Sequence, residues 1–116
     1  SYYNQIDKAI KRNDIVNMHN RVSAFLDSYF DIIFAINEFP HPGEKRLMSI
    51  IEKNCKKVPK DFEKNINNLL NSSINFDLEV LSNINDIVKQ LEKLLQDEDL
   101  LNLCVNVYSK DKEWYN

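Results

Sequence analysis

IVNMHNRVSAFLDSYFDIIFAINEF, residues 15–39, is the stretch on which the fold turns. Its apolar side chains fall at Ile15, Met18, Val22, Phe25, Tyr29, Ile32, Ile36 and Phe39, in alternating steps of three and four. Such steps stack side chains on one side of a helix, whereas a strand would alternate with period two. The spacing therefore predicts one long helix with a buried seam. From Tyr29 to Ile36 only Asp31 interrupts the apolar run, so this part should be covered on nearly all sides. It is either the central helix of a bundle or one that also meets a second domain or subunit. Phe30 and Phe34, one turn apart and off the main seam, would make that second contact. The helix should stop at Phe39-Pro40-His41-Pro42-Gly43, because proline disfavours helical geometry before it and has no N–H to donate.

Outward from this helix the pattern stays helical. Tyr3, Ile6 and Ile10 predict a short amphipathic opening, with Asn13 or Asp14 capping the long helix after it. Glu44 to Lys56 reads as a helix with Leu47, Met48, Ile50, Ile51 and Cys55 inward. Val58-Pro59 should start another, with Pro in its first turn, Asp61 and Glu63 near the positive end of the dipole, and Phe62, Ile66, Leu69 and Leu70 as its apolar face. Asn71-Ser72-Ser73 reads as a break. A further long helix should begin near Phe76 or Asp77, with Val80, Ile84, Ile87, Leu91 and Leu94 in one row and Leu81, Val88 and Leu95 beside it. Leu100 to Tyr108 reads as one more short helix, although Val105 to Tyr108 is equally readable as extended. The fold class expected is all-α, an antiparallel up-and-down bundle of four to five helices in a single domain, residues 1–116.

Composition supports that class and narrows the function. One Gly and three Pro in 116 residues are too few turn formers for an all-β sandwich. With 43% hydrophobic and 28% charged residues the chain is globular rather than disordered. Sixteen asparagines, crowded between Asn65 and Asn75 and at Asn83 and Asn85, are mediocre helix formers, so those helices must lean on packing. A net charge of −3 argues against nucleic acid as a partner. The one basic run, Lys56, Lys57 and Lys60, reads as a solvated helix end. No apolar stretch reaches the roughly 20 residues of a membrane span, and no signal-peptide pattern is visible. Cys55 and Cys104 sit inside amphipathic patterns, as reduced buried thiols of a cytoplasmic protein would, with a disulfide left open. The chain opens on Ser1 rather than Met, which predicts a domain excised from a longer protein.

Three constellations could carry chemistry. Asp27, Asp31 and Glu38 line up on one stripe, where carboxylates could bind a metal or act as acid and base. The plainer reading is a solvated acidic stripe, or a buried Asp31 paired with Lys45 or Arg46 across the turn. The segment His41-Pro42-Gly43-Glu44-Lys45-Arg46 is the most informative in the chain. Pro sets the backbone, Gly43 permits a tight or left-handed turn, and the next helix would expose free N–H groups. Such a corner can hold an anion with help from Lys45 or Arg46, or can simply be a well-capped turn. The third is Arg12 and His19, separated by six residues. That spacing, with Asn13 directly after Arg12, resembles the arginine–histidine pattern of the HEPN-type helical ribonucleases, while His19 beside the apolar seam reads equally as a packing histidine. Neither histidine has a Cys or His at zinc-ligand spacing, and no glycine-rich phosphate loop or Ser-centred elbow is present. Asp77 and Glu79 diverge on a helix and are preceded by no Gly-Ser turn.

Phe25 to Asn37, followed by His41 to Leu47, resembles the helical C-terminal half of bacterial nucleotidyltransferase-like proteins. Some of these are known only as a domain of unknown function, distantly like the aminoglycoside nucleotidyltransferases. The resemblance covers about a quarter of the chain in detail. It implies a partner domain, N-terminal to this one, with a Gly-Ser turn and metal-binding aspartates, transferring a nucleotidyl group from an NTP with Mg²⁺. The helical half would then wall the acceptor-substrate cleft, help form a homodimer, or both. On this sequence the family-like surface is Tyr29, Asp31, Asn37, His41, Glu44, Lys45 and Arg46, expected to bind substrate, with no catalytic residue, cofactor or metal ligand of the chain's own. The alternatives are a HEPN-like ribonuclease or toxin-family protein using Arg12 and His19, and a bundle that only dimerises.

Overall fold

A computed structural model describes residues 1–100 and contains five helices there: α1 (Tyr2–Lys11), α2 (Ile15–Ile36), α3 (Leu47–Asn54), α4 (Phe62–Ile74) and α5 (Glu79–Asp97). The expected all-α bundle is found. The expected helix at Leu100 to Tyr108, and Cys104, lie outside the described residues.

Side-chain contacts give the directions of the helices. Tyr2 at the start of α1 donates to or accepts from Ser28 at 3.0 Å, and its ring meets Phe25 edge-on, so α1 folds back along α2. His19, early in α2, reaches the Ser73 carbonyl near the end of α4, while Tyr29 and Phe30 meet Phe62 at its start. Those two helices are therefore antiparallel. The α4–α5 hairpin is pinned by Asn83, whose amide donates to the Asn68 carbonyl at 3.0 Å and to Ser72 Oγ at 2.8 Å.

The core collects on α2. Met18, Val22, Phe25, Tyr29, Ile32, Ile33, Phe34 and Ile36 are buried, with Ile6 and Ala9 of α1 on one flank, Ile66 and Leu69 of α4 on another, and Val80, Ile84, Ile87, Leu91 and Leu95 of α5 closing the bundle. Of the two meanings open for the covered stretch, a central helix is what the structure has. Phe30 packs on Tyr29 and Phe62, and Phe34 on Phe39 and His41, all within this chain.

Helix ends explain how so much helix coexists with one glycine. After α1, α2, α4 and α5 the chain turns through a left-handed residue, Asn13, Glu38, Phe76 and Asp99 in turn, with φ between 51° and 57°. At each, two backbone N–H groups return to the last turn, for example Glu38 to the Ala35 carbonyl and Phe39 to that of Phe34. This double bond-back normally recruits glycine, because other residues pay roughly 1–2 kcal/mol for left-handed backbone. Here packing supplies the offset: Phe39 lays its ring on Phe34, the apolar contact that accompanies the motif. Glu38 is exposed, so Glu38→Gly should raise stability by about 1 kcal/mol in urea unfolding. An unchanged or lowered midpoint would show that Glu38 carries a contact of its own.

Several expected boundaries move. α2 ends at Ile36, before Pro40, because Asn37 caps it, and Asp14 rather than Asn13 caps its start, accepting from the Asn17 N–H at 3.2 Å. α3 begins at Leu47 instead of Glu44, since Arg46 is itself left-handed, and only Ile51 of its residues is fully buried. Pro59 lies before α4 rather than in its first turn, and left-handed Asp61 occupies the cap position without using its carboxylate there. Asn71-Ser72-Ser73 is no break: the Ser72 and Ser73 hydroxyls donate to the Leu69 and Leu70 carbonyls, so two buried serines satisfy themselves inside α4. α5 starts at Glu79, and Leu95 rather than Leu94 completes its buried row. Ile15 and Leu70, expected inward, are exposed.

Candidate functional site

The Pro-Gly corner is held by the exposed His41. Its ring stands edge-on to the buried Phe34 ring, with centroids 4.9 Å apart. Its Nδ1 accepts from the Gly43 backbone N–H at 3.0 Å, which in the neutral ring puts the proton on Nε2. Nε2 faces Asp31 Oδ1 at 3.8 Å. Gly43 has φ +97°, the one place where the turn needs glycine. Of the readings open for Asp31, a solvated acidic stripe or a buried carboxylate paired with Lys45 or Arg46, the structure has the solvated one, with Asp31 exposed on α2 beside His41. Asp27 and Glu38 are likewise exposed, as the plainer reading of the acidic stripe expects.

Past the corner, Glu44 and Arg46 stand at the mouth of a cleft of about 360 Å³ between α2, α3 and α4. Its walls are almost wholly apolar: Leu26, Phe30, Leu47, Met48, Ile66 and Leu70. Among the described residues neither Glu44 nor Arg46 is committed to an ion pair. A larger cleft of about 550 Å³ opens on the far side of α3, and the two share Met48 and Ser49. It is lined by Ile51, Cys55, Val58, Pro59 and Phe62, with Glu52, Asp61 and Glu63 at its edge. None of the residues expected to bind substrate lies in it. α3 thus sits in a recess, seated chiefly by Ile51 and Cys55.

The other expected site residues go elsewhere. Tyr29 is 2% exposed, ringed by Phe25, Phe30 and Phe62, and burial raises its phenol pKa well above the ordinary value. Asn37 is a clamp: its amide donates to the Ile33 and Lys57 carbonyls, both at 2.8 Å, and its oxygen accepts from the Lys57 N–H at 2.9 Å. That ties the end of α2 to the segment leaving α3. Lys57 in turn pairs with Glu98 at 3.1 Å. Lys45 is exposed at the corner. Arg12 is the exposed C-cap of α1, and His19 uses Nε2 to donate to the Ser73 carbonyl at 2.6 Å. The recess around α3 is not visible in the sequence. The one available signal is that α3 is short, since Leu47, Ile50, Ile51 and Cys55 follow the spacing of one ordinary buried face.

The described residues do not suit the Mg²⁺–nucleotide that the resemblance implies for a partner domain. No three His, Cys, Asp or Glu among them converge as metal ligands, and the one glycine serves the corner turn. No helix among them is long and apolar enough to cross a membrane. Cys55 is buried under α3, and burial pushes its thiol pKa up. In a Cys104→Ser chain a thiol reagent at pH 8 should therefore attack Cys55 at least about tenfold more slowly than in the urea-unfolded chain. Equal rates would mean that α3 opens freely.

Fold and recess together define an all-α bundle with a largely apolar, charge-flanked cleft at one corner. In comparisons with known proteins, no family model, no curated protein and no solved structure matches the chain.

Proposed function

We propose that this chain is the substrate-recognition and interaction domain of a nucleotidyltransferase-like protein, and that it performs no chemistry until a catalytic domain stands beside it. The observation that carries the recognition half is the cleft behind the corner. Its volume of about 360 Å³ lies within the range of small-ligand sites, and its apolar walls with one carboxylate and one guanidinium at the mouth match their usual chemistry. The apolar walls would take the body of an acceptor molecule. Glu44 and Arg46 would orient its polar end, and His41 would hold the corner in place by its ring contact and its bond to Gly43. The nucleotidyltransferase half of the reading rests on the resemblance over Phe25 to Asn37 and His41 to Leu47. Magnesium and an NTP would be bound by the partner domain that the resemblance implies.

The ribonuclease reading on Arg12 and His19 gains nothing from the geometry, because His19 Nε2 is already engaged by a backbone carbonyl. Incubated alone with Mg²⁺, labelled NTPs and single-stranded RNA, the chain should neither transfer a nucleotidyl group nor cleave. RNA cleavage that disappears in His19→Ala would overturn the proposal in favour of the ribonuclease. Nucleotidyl transfer by the isolated chain would overturn its claim of inertness.

A further inference from the structure

Five large apolar side chains among the described residues are strongly exposed: Ile15 at 45%, Val16 at 67%, Leu70 at 42%, Ile74 at 70% and Leu78 at 64%. They are not scattered. Ile15 and Val16 lie four and three residues before His19, on its side of α2, and His19 is bonded to the Ser73 carbonyl. Ile74 is the next residue after Ser73, and Leu70 is one turn back on the same face of α4. Leu78 is held close by the turn that closes α4, in which the Phe76 and Asp77 N–H groups return to the Ser73 and Ser72 carbonyls. Ile15, Val16, Ile74 and Leu78 therefore lie near one hydrogen bond, at the edge where α2 begins and α4 ends, and Leu70 extends the patch along α4 towards the recess.

Size and chemistry say what covers this edge. Five side chains at these exposures leave on the order of 500 Å² of apolar surface, as large as the biggest patch on a typical monomer. A standard interface buries about 800 Å² per partner, about 60% of it apolar, so the patch is as large as one side of a dimer needs. Exposed amides stand near it in the chain, Asn20 on α2, Asn67 and Asn71 on α4 and Asn75 at its C-cap, beside the charges of Arg12, Asp14, Asp77 and Glu79. An amide donates and accepts at once, so these amides can pair with those of a second copy, as a two-fold contact requires, whereas charges of one sign would repel their own copies. The nearby charges do not spoil this. Asp14 and Asp77 spend their carboxylates on helix-start N–H groups at Asn17 and Glu79, and Arg12 and Glu79 are of opposite sign.

We propose that this edge is the interface of a homodimer, with Val16 and Ile74 at its centre and the nearby asparagines pairing across the two-fold axis. It lies outside the Phe30–Phe34 face, which the sequence left open to a second domain or subunit and whose rings meet Tyr29, Phe62, Phe39 and His41 of this chain. The inference is separable from the recognition reading: Leu70 borders both surfaces, but Val16 and Ile74 do not line the recess.

Sedimentation velocity on the 116-residue chain tests it. At about 100 µM the wild type should sediment with twice the monomer mass of 13.7 kDa, dissociating on dilution. Val16→Glu and Ile74→Lys, each suited to the dipole of its own helix end, should weaken association by at least roughly 30-fold. Both should keep the wild-type far-UV circular dichroism and urea midpoint, since these side chains are solvated in the monomer. Lys89→Glu, an exposed position on α5, should leave the dimer intact. A wild type that stays monomeric at this concentration overturns the proposal, whatever else covers the edge. So does a dimer that both variants form as tightly as the wild type.

Discussion

Tyr29→Ala should destabilise the domain by about 3–5 kcal/mol, a large share of what a domain of this size has to lose. Tyr29 sits at the middle of α2, 2% exposed, with ring centroids of Phe25, Phe30 and Phe62 between 5.7 and 6.4 Å away. Truncation forfeits the transfer free energy of the ring and leaves a cavity between α2 and α4. Three aromatic neighbours would lose a packing partner at once, and a small bundle has little freedom to collapse around the gap. Tyr29→Phe keeps that volume and should fold normally, and it isolates a second effect. In the folded chain burial holds the phenol protonated above its ordinary pKa, while in the unfolded chain it ionises as usual. Stability from this group is thus fully present below about pH 10 and is lost as pH rises beyond it. Alkaline unfolding of the Phe variant, followed by circular dichroism, should begin at higher pH than that of the wild type. Coincident alkaline transitions would remove Tyr29 from the explanation.

Asn37→Ala should cost about 2–3 kcal/mol, an unusually large loss for a half-exposed polar residue. Three hydrogen bonds of 2.8–2.9 Å go with the side chain, each worth about 1 kcal/mol, and the Lys57 N–H and carbonyl lose their protein partner. Asn37→Asp should be as damaging or worse, because the carboxylate has no N–H to offer and would face two carbonyl oxygens. The lesion should also be local. Lys57 lies just after Cys55, the last anchor of α3, so α3 should loosen first and Cys55 should become reactive towards thiol reagents well before the bundle melts. If Asn37→Ala unfolds with the wild-type midpoint and Cys55 stays protected, the clamp is not what seats the segment after α3.

The helices of the bundle are readable from the sequence because their seams are regular. Met18 to Ile36 on α2 and Val80 to Leu91 on α5 are buried in the register that spacing alone predicts. Boundaries are less legible, and for one recurrent physical reason. Glu38, Phe76 and Asp99 adopt the left-handed conformation that sequence reasoning reserves for glycine, each closed by paired backbone bonds to the preceding turn. Serine misleads in the same way: Ser72 and Ser73 read as a break until their hydroxyls are seen returning to their own helix. Of the expected site, Asp31 with His41, and Glu44 with Arg46, come together at one corner. Tyr29 and Asn37 are absorbed into core and clamp. The same aromatic or amide chemistry that suits a ligand also suits packing, and only three-dimensional neighbours separate the two. The recess around α3 depends on what α3 does not cover, which no periodicity records.

The claim that the corner cleft is a recognition site is tested most directly by mapping amide chemical shifts of the ¹⁵N-labelled chain. The probes would be small aromatic amphiphiles bearing an ammonium, a carboxylate or both. Binders should shift Phe30, Arg46, Leu47 and Leu70 together, and Arg46→Ala or Glu44→Ala should abolish binding of the charged probes while the rest of the spectrum stays unchanged. If nothing binds, if the shifts gather instead on the polar cleft of Asn68, Asn71 and Asn83, or if both substitutions leave affinity intact, the cleft is only a gap between helices and the account of this domain as a recognition module is wrong.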